Sequence, residues 1–269
     1  MSGKVRMEVD GAIATITLDA PASRNALTPQ MLCMLADAIK EIASSASLRV
    51  AILTGAGDKA FCAGGDLART LPLMSGDRQP DDEWDHRLLS DPEVLAASGL
   101  RDFQIDKPVI AAINGACMAA GFEMMLGTDL RICAEHATFA LPEVKRAVVP
   151  FAGSMARLPR QVSYCTAMEI MLTGDPISAQ EAWRVGLINR IVSSDELMPT
   201  ARAIARRISE NGPLAVQAVK RTVIDSSGQP LSHAYSLEDQ AKQLVMASHD
   251  AREGPRAFIQ KRAAQFLGR

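Results

Sequence analysis

Between Ala12 and Thr54 the chain reads strand, helix, strand. The alternating run Ala12–Leu18 precedes a helical pattern from Thr28 to about Ser44, and the short apolar run Val50–Thr54 follows. This order constrains the fold more than any other feature. Two strands of one sheet joined through a helix lie parallel, with a right-handed crossover, and that puts the chain in the α/β class. Thr28 is a favoured N-cap with a proline behind it. Met31, Leu32, Leu35, Ile39 and Ile42 recur on one face at helical spacing. Upstream, Val5–Val9 and Ala12–Leu18 flank Asp10–Gly11, a strong hairpin signal.

Residues 108–153 hold the richest chemistry. Val109–Ile113 and Leu130–Ala134 are apolar runs of buried-strand length. The small residues Gly115–Gly121 between them can bring backbone N–H groups close to a ligand. A helix predicted to start near Gly121 carries Glu123 in its first turn, and Glu143 follows Pro142 after the short run Ala137–Leu141. Two carboxylates in apolar sequence beside amide-rich backbone suggest acid–base chemistry next to a stabilised oxyanion. A first-turn glutamate is also favoured by the helix dipole alone, and one after proline can simply cap the next element. The pair by itself leaves both readings open.

Residues 55–69 contain Gly55, Gly57 and Ala60 at the spacing of a dinucleotide-binding fingerprint. That motif needs a helix to begin inside it, whereas Phe61–Gly65 continues as a small-residue loop, so the fingerprint is rejected. The helical pattern begins near Asp66, the expected N-cap, and Gly64 and Gly65 can turn amides toward an anion there. Residues 68–107 are polar and irregular, which fits a helical flap over a site or a solvated surface. Ser178 caps a helix with Glu181 at the capping-box position, and Leu187–Val192 is the last strand candidate. From Ser194 the pattern is helical, with segments at 195–210, 213–226, 231–248 and 254–266. A boundary is expected near 193–200.

A formal net charge of −2 on 269 residues argues against a nucleic-acid surface, and no apolar run reaches membrane-spanning length. The first twenty or so residues lack the apolar core of a signal peptide and are expected to be mature protein. Cys33, Cys62, Cys117, Cys133 and Cys165 show no paired spacing and are expected to be reduced core thiols of a cytoplasmic protein. His86, His136, His233 and His249 lack ligand spacing, so no metal site is expected.

Six segments in order then carry a resemblance: SRNALT (23–28), AFCAGGDL (60–67), PVIAAINGACMAAGFEMMLGTDLRIC (108–133), ATFALPEVKRAVVP (137–150), LTGDPISAQEAWRVGLINRIV (172–192) and EGPRAFIQKRAAQF (253–266). Together they resemble the enoyl-CoA hydratase/isomerase (crotonase) superfamily over nearly the whole chain. The resemblance implies the crotonase fold: a repeated ββα spiral core, here 1–193, and a C-terminal all-helical trimerisation region, here 194–269. It implies homotrimers or dimers of trimers. It implies no permanently bound cofactor, with coenzyme A arriving as part of an acyl-CoA thioester substrate.

By the same resemblance the thioester oxygen is held by the N–H groups of Gly65 and Ala120, and Glu123 and Glu143 are the two catalytic glutamates. Arg24, Ala26, Ala63, Asp66 and Leu67 match positions that contact CoA, and Phe258 and Lys261 match a C-terminal helix reaching its phosphates or adenine. Two departures stand out. Phe151 replaces a usual glycine and adds bulk to the acyl pocket, and Ala119-Ala120 stands where Gly-Gly is common. Both glutamates together favour an enoyl-CoA hydratase, adding water syn to a 2-trans-enoyl-CoA. The alternatives are dehydration of a specialised 3-hydroxyacyl-CoA such as a carnitinyl-CoA-like substrate, double-bond isomerisation, or a non-catalytic acyl-CoA-binding paralogue.

Overall fold

The structure is a computed structural model and describes residues 3–269. In chain order it contains strands β1 (Lys4–Asp10) and β2 (Ile13–Asp19), helix α1 (Pro29–Ser44), strands β3 (Val50–Gly55) and β4 (Ala60–Cys62), and helices α2 (Thr70–Ser75), α3 (Glu83–Ser90) and α4 (Pro92–Ser98). Strands β5 (Val109–Ile113) and β6 (Ala116–Met118), helix α5 (Ala120–Leu126), and strands β7 (Leu130–Ala134) and β8 (Thr138–Ala140) follow. Then come α6 (Ser154–Gln161), α7 (Tyr164–Thr173), β9 (Ile177–Ser178), α8 (Ala179–Arg184) and β10 (Arg190–Val192). The helices α9 (Ser194–Ser209), α10 (Pro213–Ser226), α11 (Leu231–Met246) and α12 (Asp250–Ile259) complete the chain.

The first elements form as local chemistry dictates. Asp10 pairs with Ile13 across the β1–β2 turn, where Gly11 adopts φ 59°. Thr28 Oγ1 accepts from the Met31 N–H at 3.2 Å and caps α1. Strands β2, β3, β5, β7 and β10 run parallel in a six-stranded sheet of order β1-β2-β3-β5-β7-β10. A second sheet has the order β4-β6-β8-β9. The successive pairs β3–β4, β5–β6 and β7–β8 each give one strand to either sheet, so the chain winds as a repeated ββα spiral.

The apolar runs of the parallel strands are explained by burial on both faces. In β3, Val50 and Ile52 join Ile13, Ile110, Ala112 and Ile132 under Leu197, Ala201 and Ala205 of α9. The alternate residues Ala51 and Leu53 face the main core with α1 and the second sheet. Helix α9, which the sequence reading assigns to the tail, is therefore a layer on the six-stranded sheet. In α10 Pro213 is the one buried residue, and α11 has none.

One expectation near Asp66 is met and two others are corrected. Asp66 makes the bonds of an N-cap: its Oδ1 accepts from Ala68 N–H at 2.9 Å and Arg69 N–H at 2.8 Å, its carbonyl accepts from Thr70 N–H at 2.9 Å, and the turn 67–69 leads into α2 at Thr70. The last helix stops at Ile259 instead of running to Phe266. Lys261 takes φ 52°, Arg262 N–H reaches back to Ala257 O and Lys261 N–H to Phe258 O, which is a left-handed C-terminal stop with lysine where glycine is usual. The chain then folds back, and Leu267 and Gly268 N–H both donate to the Asp250 carboxylate at 2.8 Å. Cys165 is exposed, unlike the other four cysteines. Of the two readings of residues 68–107, the structure has the helical one, with Leu71, Met74 and Leu95 on the cavity. Helices α3 and α4 pack on α1, and buried Asp85 is forked by Arg78 at 2.5 and 2.8 Å. Among the described residues no helix is long and apolar enough to cross a membrane.

Candidate active site

Three consecutive turns of the spiral open on one cavity of about 570 Å³. Gly65 and Leu67 follow β4, Ala119 and Ala120 follow β6, and Pro142 and Glu143 follow β8, and all of them line it. Leu71 and Met74 from the α2 region and Leu95 from α4 form the opposite wall. The segment 68–107 thus caps the cavity with aliphatic side chains.

The first two loops are pressed together. Gly64 adopts φ +101°, and a Cβ added there would lie 2.8 Å from Ala119 Cβ and 3.6 Å from Ala120 N. Leu27 pairs with Gly65 as a parallel bridge: Leu27 N–H donates to Gly64 O at 2.8 Å and Asp66 N–H to Leu27 O at 2.9 Å. These bonds fix the 64–66 backbone and leave the Gly65 N–H without a partner among the described residues. Ala120 is the first residue of α5, so its N–H is one of the donors a helix start leaves unsatisfied. Two unspent donors therefore border the cavity from adjacent loops. Ala119, just before them, holds φ 51° and ψ −126°, a conformation tolerated best by glycine.

Glu123 is 3% exposed. Its Oε1 accepts from Ser154 N–H at 3.1 Å and Ser154 Oγ–H at 2.8 Å. Burial raises its pKa above the ordinary 4.5, while these donors and the Arg101 charge pull the other way. Glu143 sits in the 3-10 turn Pro142–Arg146 after β8. Its Oε2 is buried without a hydrogen-bond partner among the described residues. An ionised oxygen left so is costly, and burial, reinforced by the charge of Glu123, raises the Glu143 pKa to about 7.

The other expected site residues divide. Ala63, Leu67 and half-exposed Phe151 line the cavity. Arg24, Ala26, Asp66, Phe258 and Lys261 do not border it. Arg24 and Asn25 take φ 54° and 56° in the loop before α1, while Phe258 is 85% exposed on α12. Ser154, Asn25 and Asn114 were not singled out from sequence. Asn25 is fully buried; its Nδ2 donates to Ala56 O at 3.0 Å and Ala60 O at 2.8 Å, tying the SRNALT loop to β4. Asn114 accepts from Gly55 N–H at 3.1 Å and donates to Gly57 O at 2.8 Å, fixing the same turn. A buried asparagine inside an apolar run, as in Ile113-Asn114-Gly115, is a readable signal of such a hub. Ser154 after Gly153 marks a helix start, but nothing local says that it faces Glu123.

Comparison with known proteins gives the family and the fold. A profile described as enoyl-CoA hydratase/isomerase matches residues 8–269. The enoyl-CoA hydratase EchA19 of Mycobacterium tuberculosis is 38% identical over 263 residues, covering 98% of this chain and 96% of that protein. The carnitinyl-CoA dehydratase of Salmonella typhi is 38% identical over 274 residues and covers 100% of both. The crystal structure of an enoyl-CoA hydratase from Bacillus anthracis superposes with a TM-score of 0.89 at 34% identity, covering 99% of this chain and 100% of that one. The chain belongs to the enoyl-CoA hydratase/isomerase family and has the crotonase fold.

Proposed function

We propose that the protein is an enoyl-CoA hydratase, a hydro-lyase that adds water reversibly and syn across the double bond of a 2-trans-enoyl-CoA. The observation that carries this reading is the meeting of two carboxyls and two unspent backbone N–H groups on one largely aliphatic cavity. In the proposed reaction the thioester oxygen accepts from the Gly65 and Ala120 N–H groups. These polarise the conjugated double bond toward an enolate, and such preorganised donors contribute about 3–4 kcal/mol each to a transition state of this kind. Glu123, oriented by Ser154, takes a proton from the water as it attacks the β-carbon. Glu143, with its carboxyl raised to about 7, donates a proton to the α-carbon. The carboxyls suit opposite roles because one is supported by two donors as an anion while the other has an oxygen left without a partner, which protonation satisfies.

Ala63 and Leu67 would flank the pantetheine. Arg24, Ala26, Asp66, Phe258 and Lys261 would meet the nucleotide outside the cavity, and Phe151 would limit the acyl chain. No resident cofactor is needed by this chemistry, since coenzyme A is part of the substrate. We also read the exposed apolar side chains of α10 and α11, such as Val219, Val223 and Leu244, as a contact between copies in a homotrimer or dimer of trimers.

A second reading, dehydration of a specialised 3-hydroxyacyl-CoA, uses the same site in reverse. The full-length match to a carnitinyl-CoA dehydratase supports it. The cavity wall carries Arg101 and Arg146 beside Asp102, Glu123 and Glu143, and Phe151 is the one aromatic side chain among the lining residues that could face a trimethylammonium acyl group. The deciding assay is loss of enoyl-thioester absorbance with crotonyl-CoA and a longer 2-trans-enoyl-CoA. Turnover by wild type, with a loss of about 10²–10⁴-fold in Glu123→Gln and in Glu143→Gln, is expected. Binding of both thioesters without turnover would overturn general hydration.

A further inference from the structure

The cap over the cavity returns to β5 through a turn whose backbone is held in an unusual shape. Leu100 (φ 49°) and Asp102 (φ 56°) are both left-handed, and Arg101 lies between them. Non-glycine residues rarely adopt that region unless surrounding contacts hold them there. Here the contacts are reciprocal. Arg101 donates to the carbonyl of Phe151, while Arg157, from α6, donates to the carbonyl of Leu100. Each segment sends one guanidinium to a backbone oxygen of the other. Asp102 Oδ2 lies 3.2 Å from Arg101 Nε and orients the fork that reaches Phe151.

The segment that Arg101 holds is the one that serves Glu123. Arg101 fixes the carbonyl of Phe151, and three residues on, Ser154 gives Glu123 its two hydrogen-bond donors, the backbone N–H and Oγ–H. A charged donor on the loop's backbone oxygen makes a strong hydrogen bond and limits how that loop can shift under the carboxylate. Arg101 also lines the cavity, so cap, loop and carboxylate meet within one connected set of bonds.

We propose that Arg101 and Arg157 form a reciprocal clamp between the cap and the segment 151–157, and that through this segment and its Ser154 donors they position the Glu123 carboxylate for reaction. Both are positioning residues. The inference rests on the reading of Glu123 as the group that activates water.

The test replaces Arg101 by methionine, which keeps the aliphatic stem and removes the donors. Two measurements are made on the full-length protein: steady-state hydration of crotonyl-CoA across pH, and the titration of Glu123 followed by ¹³C NMR of labelled glutamate carboxyls, assigned with Glu123→Gln. Expected for Arg101→Met is a fall in kcat of at least about tenfold, the scale of a misplaced catalytic group, with KM changed by less than about threefold. The Glu123 titration and the acid limb of the kcat profile should both move to higher pH, because the hold on the Ser154 donors and a positive neighbour are lost together. A Glu123 titration identical to wild type overturns the clamp, and so does a rise in KM with kcat unchanged, which makes Arg101 a substrate contact instead. Arg157→Met should reproduce the shift if it folds; if it does not, the Arg101 variant decides alone. The two readings separate cleanly. A wild type inactive on enoyl-CoA whose Glu123 titration still moves with Arg101 sinks hydration and keeps the clamp. An active wild type whose Glu123 titration ignores Arg101 does the reverse.

Discussion

Ala119 shows how a single residue records the demands of the site. Its φ of 51° with ψ of −126° belongs to glycine, and a side chain held there costs on the order of 1–3 kcal/mol. The strain places the next residue, Ala120, with its N–H on the cavity. Ala119→Gly should therefore raise the melting temperature by about 2–4 °C, the equivalent of about 1 kcal/mol in a chain of this size. An unchanged or lower Tm would show that the strain is absent. Gly64→Ala should do the opposite, since it combines φ +101° with a Cβ placed 2.8 Å from Ala119 Cβ; calorimetry is expected to show a clear loss of stability and the assay a loss of turnover. Glu143 carries the pH dependence. It must be protonated to act as the acid, so hydration should fall as pH rises through about 7, and it should fall again at low pH where Glu123 takes up a proton. The stability sign follows from the same shift. Between the ordinary 4.5 and about 7 the folded Glu143 binds a proton that the unfolded chain does not, so its contribution to stability decreases as pH rises across that window. Glu143→Gln should accordingly raise Tm at pH 8 by more than at pH 5, with turnover lost at both. An equal effect at the two pH values would contradict the shift.

At the level of elements, the cap packs Leu88, Val94 and Ala97 into the main core against α1, and charges tie its own segments together. Asp85 is buried, accepts both Nη groups of Arg78 and the Asp81 N–H at 3.1 Å, and its carboxyl is lowered to about 2, chiefly by the Arg78 bonds. Its folded pKa lies below the unfolded value, so its support is complete above pH 4 or so and is lost as pH falls through about 2. Arg78→Met leaves Asp85 buried without its partner. Amide exchange in α3 should then speed by about tenfold or more at pH 7, while exchange in β3 and β5 stays as in wild type, because local opening draws on the weakest unit. Uniform loss of protection would mean that the cap and the core unfold together. The same assay in the presence of an acyl-CoA should show whether ligand restores the cap.

For the molecule as a whole, the unfinished surface lies on the last three helices. Val223 is 65% exposed, Ile224 56%, Leu244 62% and Met246 65%, a density of apolar surface that soluble monomers seldom leave open. Sedimentation velocity of wild type is expected to give a trimer or hexamer. Val223→Glu with Leu244→Glu should shift it to smaller species, because each places a charge in the buried contact. A monomeric wild type would remove the assembly from the proposal. Helix α9 is on the other side of this division. Leu197, Ala201 and Ala205 lie in the core against the six-stranded sheet, so truncation after residue 193 would uncover that sheet and is expected to yield insoluble protein.

Local chemistry along the chain was enough to determine the α/β class, the β1–β2 hairpin, the Thr28 and Ser178 caps and the strands of the parallel sheet, because turn residues, caps and short apolar runs act over a few residues and need no partner to be recognised. It also placed Glu123 and Glu143 as a pair worth suspecting, and the order of six segments named the family that the comparisons then established. Tertiary structure decided the rest, for reasons that are not local. Whether α9 was tail or core depended on which sheet face it met, since its own pattern is that of any amphipathic helix. Asp66 was readable as a cap, but only the pairing of Leu27 with Gly65 fixed where that backbone sits. The difference between two similar glutamates, one embraced by Ser154 and the other buried with an unpartnered oxygen, comes from residues brought together by the spiral. Burial and donor count set a carboxyl's proton affinity, and both are properties of the folded neighbourhood rather than of the residue.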